Sequence, residues 1–407
     1  MRWYNFFHIY QPPAWDEAII RRVADESYRP VLKILEDHSS LRITMNITGA
    51  LVEQLLALGM SDIVNRYRVL IHRGQVELVG SAMYHPILPL LPVEEARRQI
   101  ELQTTLYRQT FGPEYSPQGF YCPEMAYDPH LDGLLLELGY TWVILDEISA
   151  NGEIGTAPID RPWILPSGLR AVFRNRHISD YLSFSSDLAN PADGLRAIKE
   201  DSRGHEVLIT AMDGENLGHH RHGVERLWEF LATYPGIETE TLSTLAKQPG
   251  IRGQRLLSGS WSSQPADVAR GIPFALWDHP ENPIHQLQWE LTRLIVRTVG
   301  ECERDPNYHT VRHLVDRTLA SDRYWWASAS PWWDMAIVIR ETQKLADAIT
   351  PMTSVPPATR SAIEQLVQRI TTTVELWERT GLAHKRQHDY LLGTGDVRFM
   401  AGGQVAS

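Results

Sequence analysis

Seven short apolar runs, separated by amphipathic stretches of helical length, organise the chain up to about Ser263. The runs cover residues 3–9, 41–47, 76–79, 119–122, 141–145, 169–173 and 207–212, and they are rich in β-branched and aromatic side chains. Such runs suit strands buried on both faces. Between them, residues 17–36, 51–72, 94–111 and 224–232 carry apolar side chains at three- and four-residue spacing, the period of a helix. Strand–helix alternation implies a parallel sheet. Seven strands fit a closed or nearly closed barrel better than a three-layer sandwich. After Trp261 the pattern changes: residues 284–300, 307–320, 332–349 and 357–379 keep the helical period with no strand-like run between them. A helical domain packed on the barrel is expected there. The Gly-rich stretch from Leu391 is expected to be flexible.

Polar side chains gather just past the runs: His8, Gln11, Asn46, His85, Glu124, Asp146, Glu147, Arg174, Arg176, Asp213 and Glu215. In a parallel barrel the C-terminal ends of the strands converge on one face, where side chains from distant segments meet. One apolar strand ending in a polar group is a modest signal of a site; seven are a much better one.

Two of these ends are chemically pointed. In Gly119–Ala126 of the sequence, Pro123 fixes φ and removes a donor, so the strand stops and Glu124 is held on a stiff turn. On these residues alone a surface glutamate in a turn fits as well. In the stretch 207–216 an apolar strand runs into Asp213-Gly214-Glu215. Gly214 permits a tight turn or a positive φ, although Asp-Gly is also a common turn with no chemistry. Two acids near one strand end can be driven to different pKa values, which general acid/base catalysis requires.

Composition narrows the partners. A net charge of −11 argues against nucleic acid or an anionic membrane surface, whose negative charge demands clustered Lys and Arg. Two cysteines supply neither a disulfide framework nor a four-ligand zinc module. No signal-peptide stretch or apolar run of membrane-spanning length stands out, so a cytoplasmic location is expected. His219-His220-Arg221-His222 lacks the regular spacing of metal ligands, and no metal or cofactor is expected. With 13 tryptophans, most are core; Trp261 and Trp277, beside Gly, Pro, Asp and His, suit flat platforms for sugar rings. Trp326 and Trp333 read as structural.

Taken in order, these segments resemble glycoside hydrolase family 57, the family of α-amylases, amylopullulanases, 4-α-glucanotransferases and branching enzymes. His8-Ile9-Tyr10-Gln11-Pro12 resembles its first motif, His-x-His-Gln-Pro. Gly74–Gly80 of the sequence, with Glu77, followed by His85-Pro86-Ile87, resembles the second. Phe120 to Ala126 resembles the third and Thr210 to Gly218 the fourth. Ser321-Asp322-Arg323-Tyr324-Trp325-Trp326 resembles the fifth. The stretch from Phe173 to Asp180, with Arg174 and Arg176, looks like the arginine-containing strand end. Gly259-Ser260-Trp261 with Trp277 to Asn282 resembles a loop of amylopullulanase-like members.

The resemblance implies a fold: an incomplete seven-stranded (β/α)7 barrel over 1–265, a helical domain over 266–390 completing the active-site cleft, and a tail over 391–407. It implies a retaining reaction on α-glycosidic bonds, of α-glucans or oligosaccharides, with Glu124 as nucleophile and Asp213 as general acid/base. It further implies substrate contacts by His8, Tyr10, Gln11, Glu77, His85, Arg174, Arg176, Glu215, His219, Trp261, Trp277 and Asp322. Two departures bear on substrate. Tyr10 stands where the family usually has a second histidine, and Leu217-Gly218-His219-His220 follows Asp213 where many relatives carry an aromatic. The residues leave two alternatives open: a metal-dependent deacetylase or α-mannosidase on a related barrel, and a non-catalytic sugar-binding homologue. Neither oligomeric state nor the exact linkage is written in these motifs.

Overall fold

The computed structural model describes residues 1–13, 15–184, 191–202, 204 and 206–394. Two compact units divide the chain, Met1–Ala269 and a second one beginning at Arg270. The first holds the strands β1 Arg2–Ile9, β2 Ile43–Ile47, β3 Val76–Leu78, β4 Gly119–Tyr121, β5 Trp142–Asp146, β6 Trp163–Ile164, β7 Arg170–Arg174, β8 Val207–Asp213, β9 Glu238–Glu240 and β10 Ile251–Arg252. Seven lie where the apolar runs placed them. The three additions, β6, β9 and β10, are two or three residues long, too short to carry a hydrophobic pattern.

One sheet has the order β3-β2-β1-β8, with β9 also paired to β1; the other has the order β10-β6-β7-β5-β4. Every pairing is parallel except β6 with β7. The sheets meet along two seams. Gly80 bridges Phe120 in parallel fashion, and Asn175 N donates to Ile209 O at 2.8 Å.

Side-chain parity explains what the strands do. On β1, Trp3, Phe7 and Ile9 belong to a core shared with the surrounding helices. Tyr4 and Phe6 point the other way, into a second core with Tyr121, Ile144, Val172, Ile209 and Ala211. Strand side chains alternate faces. His8, Asp146, Arg174 and Asp213 therefore continue the parity of this inner core, at the C-terminal ends of β1, β5, β7 and β8. Within Thr44, Asn46 and their outward neighbours Ile43, Met45 and Ile47, the same alternation turns Asn46 inward. Register places His8 directly beside Asn46 on one side and Asp213 on the other.

Two helices differ from the sequence expectation. The stretch 17–36 is broken into Glu17–Val23, a π-helical turn Ala24–Tyr28, and Arg29–Asp37. The stretch 51–72 becomes Gly49–Ala57 and Ser61–His72, parted at Gly59, whose φ of 74° is left-handed. Among the described residues, the second unit holds helices and no strand: Pro283–Glu301, Tyr308–Thr318, Asp322–Trp325, Met335–Ala348, Pro357–Thr380 and Leu382–Thr394. The fourth starts at Met335 rather than at residue 332 because Asp334 caps it, its Oδ1 accepting from Ile337 N at 2.8 Å. The stretch expected to be flexible from Leu391 is helical through Thr394; residues 395–407 lie outside the described residues. No helix among the described residues is long and apolar enough to cross a membrane.

Candidate active site

Glu124 follows β4 on a backbone that side chains rarely adopt: φ is 59° at Glu124 and 46° at Met125. His85, facing it, is also left-handed at 57°. Non-glycine residues in this region are held there by their surroundings and cluster at functional sites. Here the surroundings are visible. Ala126 N donates to Pro123 O at 3.0 Å, and Trp261 N donates to Glu124 O at 3.3 Å. Tyr127 pairs with Gly259 in antiparallel fashion. The loop carrying Trp261 is thus tied to the turn carrying Glu124. The tie reaches the carboxylate itself: Trp261 Nε1 donates to Glu124 Oε2 at 2.8 Å. Glu124 Oε1 lies 3.8 Å from His85 Nδ1. Burial, and then the neighbouring His8, push His85 well below the usual histidine range, so this contact involves a neutral imidazole.

An aromatic stack lines the same place. Tyr10 lies on His85 at 4.1 Å between centroids, and His85 lies on His8 at 4.8 Å. Tyr121 packs 4.7 Å from His8, and the Trp261 ring is 6.0 Å from both. Burial lowers His8 to about 3, only partly offset by its bond to Asn46. The ring is neutral, and Nδ1 donates to Asn46 Oδ1 at 2.9 Å. That fixes His8 Nε2 as an acceptor.

Asp213 ends β8 in a different environment. Burial raises its carboxyl to about 6, against the pull of the Arg174 charge. Gly214 follows it for want of space rather than for a positive φ: a Cβ there would sit 2.4 Å from Ile9 Cγ2. Glu215 is buried, and three donors converge on its Oε1: Tyr28 Oη at 2.6 Å, Tyr10 N at 3.0 Å and Gln11 Nε2 at 3.4 Å. Those donors favour the ionised form, yet burial and the Asp213 charge prevail and raise Glu215 to about 8. Both Glu124 and Asp213 act electrostatically on the phenol of Tyr121, which burial already holds well above its usual range. One buried ring therefore feels both acids.

The arginines divide their work. Arg174 donates to Asp146 Oδ2 at 2.6 Å and to Ala211 O at 2.9 Å, and its guanidinium lies 5.7 Å from the Trp261 ring centre. Arg176 also holds Asp146, its Nε donating to both carboxylate oxygens at 2.9 Å, while Nη1 donates to Ser263 O at 2.7 Å and Nη2 to Ser260 O at 3.0 Å. Arg174 is the one beside Asp213; Arg176 pins the loop that carries Trp261. Burial pushes Asp146 up, and the two guanidiniums outweigh it and hold the carboxylate below its usual range. Replacing Arg176 with Met leaves Asp146 to Arg174 alone and takes the donor from the Ser260 and Ser263 carbonyls; it is expected to cost about 1–3 kcal/mol of stability, read as a lower denaturant midpoint, and an unchanged midpoint would remove Arg176 from this role.

Of the residues marked from sequence, His8, Tyr10, His85, Arg174 and Trp261 assemble around Glu124 and Asp213, and Gln11 joins through Glu215. Among Glu77, Trp277, His219 and Asp322, burial overturns the sugar-stacking reading of Trp277 alone. Glu77 pairs in register with Thr44, one side-chain layer below His8. Its Oε2 accepts from Thr44 Oγ1 at 2.7 Å and from Ser243 N at 3.1 Å, at the start of the helix Leu242–Ala246. It holds that helix. Trp277 is 2% exposed, so its ring offers no face to a sugar. His219 Nδ1 is 2.6 Å from Glu26 Oε2, on the π-helical turn. Asp322 is the first residue of the helix Asp322–Trp325, in the second unit. Trp326 is buried as expected, and Trp333 Nε1 donates to Glu378 Oε2 at 2.8 Å. Sequence reasoning missed Tyr121 and Tyr28, which an apolar strand and a helix pattern disguise as core. Among the described residues, no group of three His, Cys, Asp or Glu side chains is placed to hold a metal ion.

Comparison with known proteins identifies the family. The profile of glycosyl hydrolase family 57 matches residues 3–253, more than half of the 407. An α-amylase of Pyrococcus horikoshii is 35% identical over 224 residues, 52% of this chain and 33% of that protein. A 4-α-glucanotransferase of Thermococcus litoralis is 30% identical over 140 residues, 34% of this chain and 21% of that protein. The chain's match thus spans about a third or less of the length of these relatives. In fold, the structure of the family 57 branching enzyme of Pyrococcus horikoshii is similar with a TM-score of 0.66 at 16% identity, covering 93% of this chain and 95% of that one. The extent of the profile match decides the matter: this chain belongs to glycosyl hydrolase family 57.

Proposed function

We propose that this chain is a retaining glycoside hydrolase or transglycosidase acting on α-glycosidic bonds of α-glucans, with Glu124 as nucleophile and Asp213 as general acid/base. The observation that carries this is the contrast between the two carboxyls around Tyr121. Burial biases Asp213 toward its protonated form, while an indole N–H reaches Glu124. Two carboxyls with opposed environments are what separates an acid from a nucleophile in glycoside cleavage. The strands β1 to β5, β7 and β8, with their two seams, are read as the incomplete barrel that brings these ends together.

In this reading Glu124 attacks the anomeric carbon as Asp213 passes its proton to the departing glycosidic oxygen. A glycosyl ester on Glu124 results. Asp213, now ionised, takes the proton of the incoming acceptor, whose oxygen displaces Glu124. Water as acceptor gives hydrolysis; a sugar hydroxyl gives transfer. The left-handed turn at Glu124 and its bond to Trp261 fix the attacking oxygen, where placement errors of an ångström are costly. His8 Nε2, Asn46 Nδ2 and Tyr121 Oη are buried without a partner among the described residues. They are the polar groups on hand for sugar hydroxyls, and Trp261 is the stacking face.

A pH dependence follows from Asp213. Its protonated form starts the reaction, so kcat/KM is expected to fall as pH rises through about 6. A profile still rising from pH 6 to 8 would contradict the assignment. The reading as a whole is tested by thin-layer chromatography of products from maltooligosaccharides, amylose, pullulan and an α-galactoside. Shortened α-glucans mark hydrolysis and lengthened or branched ones mark transfer; no product from any of the α-glucans overturns it.

A further inference from the structure

The break in the first helix lies against the acid-bearing turn. Ala24–Tyr28 is π-helical: Arg29 N donates to Ala24 O, five residues back. Pro30 follows at the second position of the next helix. It has no N–H to return to Glu26 O, as an α-helix would require. Three consecutive residues of the turn grip the segment after Asp213. The Glu26 carboxylate meets His219 Nδ1 at 2.6 Å. The Glu26 carbonyl, to which Pro30 cannot donate, lies so close to Gly218 that a Cβ there would come within 2.0 Å. Ser27 Oγ donates to Gly214 O at 3.1 Å, and Tyr28 Oη donates to Glu215 Oε1 at 2.6 Å. Both Ser27 and Tyr28 are 1% exposed, so these bonds form out of reach of solvent.

We propose that the π-helical turn Ala24–Tyr28 is a clamp that sets the position of the Asp213 carboxyl, with Tyr28 as a positioning residue acting through Glu215. This rests on the assignment of Asp213 as acid/base. Asp213 enters from β8, whose pairing to β1 fixes one side of it; Gly214 and Glu215, its exit, are fixed by Ser27 and Tyr28. Widened turns of this kind recur at functional sites, because the extra residue re-aims side chains that a regular helix would spread around its circumference. Without the clamp the strand would still deliver Asp213, but the turn that orients its carboxyl would be free to relax.

The test exploits leaving groups. A sugar departs only with a proton from the acid, whereas 2,4-dinitrophenolate departs without one. Tyr28→Phe deletes one hydroxyl and keeps the ring. It is expected to lower kcat/KM on a maltooligosaccharide on the order of tenfold, while kcat/KM on the matching 2,4-dinitrophenyl α-glycoside stays within about twofold. Equal losses on the two substrates, or no loss on either, would overturn the clamp. Should Tyr28→Phe fail to fold, Ser27→Ala is read by the same ratio of losses, with the same two outcomes. A wild-type chain inactive on both substrates would instead sink the functional reading on which the clamp rests.

Discussion

Replacing Glu124 by Gln is expected to lower turnover of α-glucans by at least about 10⁴-fold while leaving oligosaccharide affinity within a few-fold. The amide keeps the shape of the side chain and can still accept the Trp261 N–H through its carbonyl oxygen. It cannot form a glycosyl ester, so the two-step route closes at its first step. Affinity survives because His8, Asn46, Tyr121 and Trp261 are untouched. Steady-state kinetics gives the turnover, and isothermal titration with a maltooligosaccharide gives the affinity. Turnover near that of the wild type would remove Glu124 from the nucleophile's role. Loss of turnover with loss of binding would point to a collapsed turn, a real hazard at a residue with φ of 59°.

Asp213→Asn is expected to give the second-largest effect, and it acts in two directions. Without a proton donor, kcat/KM on oligosaccharides should fall by about 10²–10⁴-fold, and much less on an aryl glycoside with a leaving group that needs no proton. Stability should move the other way. The folded pKa of about 6 lies above that of an unfolded aspartate, about 3.9. Below pH 4 both states hold the proton and the carboxyl contributes nothing. From pH 4 to 6 the unfolded state ionises first, so the wild-type fold loses stability as pH rises, and above 6 the loss is complete. Asn never ionises. The variant should therefore match the wild type at pH 4 and exceed it at pH 7 by about 1–2 kcal/mol, after allowance for the partial exposure of this side chain. Urea denaturation at the two pH values reads this difference. A variant less stable at pH 7 than at pH 4, relative to wild type, would mean that Asp213 is a structural carboxylate.

The strands that carry the site were legible because their pattern is local. β1 buries seven of its eight residues, and the run from Trp3 to Ile9 says so directly. The acids at the ends of β4 and β8 were legible for the same reason. Proline after an apolar run, and glycine after an aspartate, mark where a strand stops. What the sequence hid depends on distant partners. Nothing beside Glu77 in sequence points to Thr44 and Ser243, the latter 166 residues away, which hold it. Trp277 sits among polar neighbours in sequence yet is buried, with Trp289 Nε1 donating to its carbonyl at 2.9 Å. Arg174 and Arg176 are alike on paper; the carbonyls of Ser260 and Ser263 decide between them. The break at Ala24–Tyr28 had one local sign, Pro30. Its meaning lies in the contacts with Gly214, Glu215 and His219, which no periodicity can display.

The central claim, that Glu124 is the nucleophile of a retaining reaction, is tested most directly by trapping. A 5-fluoro-α-glucosyl fluoride forms the glycosyl-enzyme quickly and releases it slowly, because fluorine destabilises the positive charge in both transition states. Digestion and mass spectrometry of the inactivated protein then locate the sugar. The expected result is a single label, in ester linkage on Glu124. A label on any other residue, or full turnover of natural substrate by a protein that never acquires one, would contradict the account.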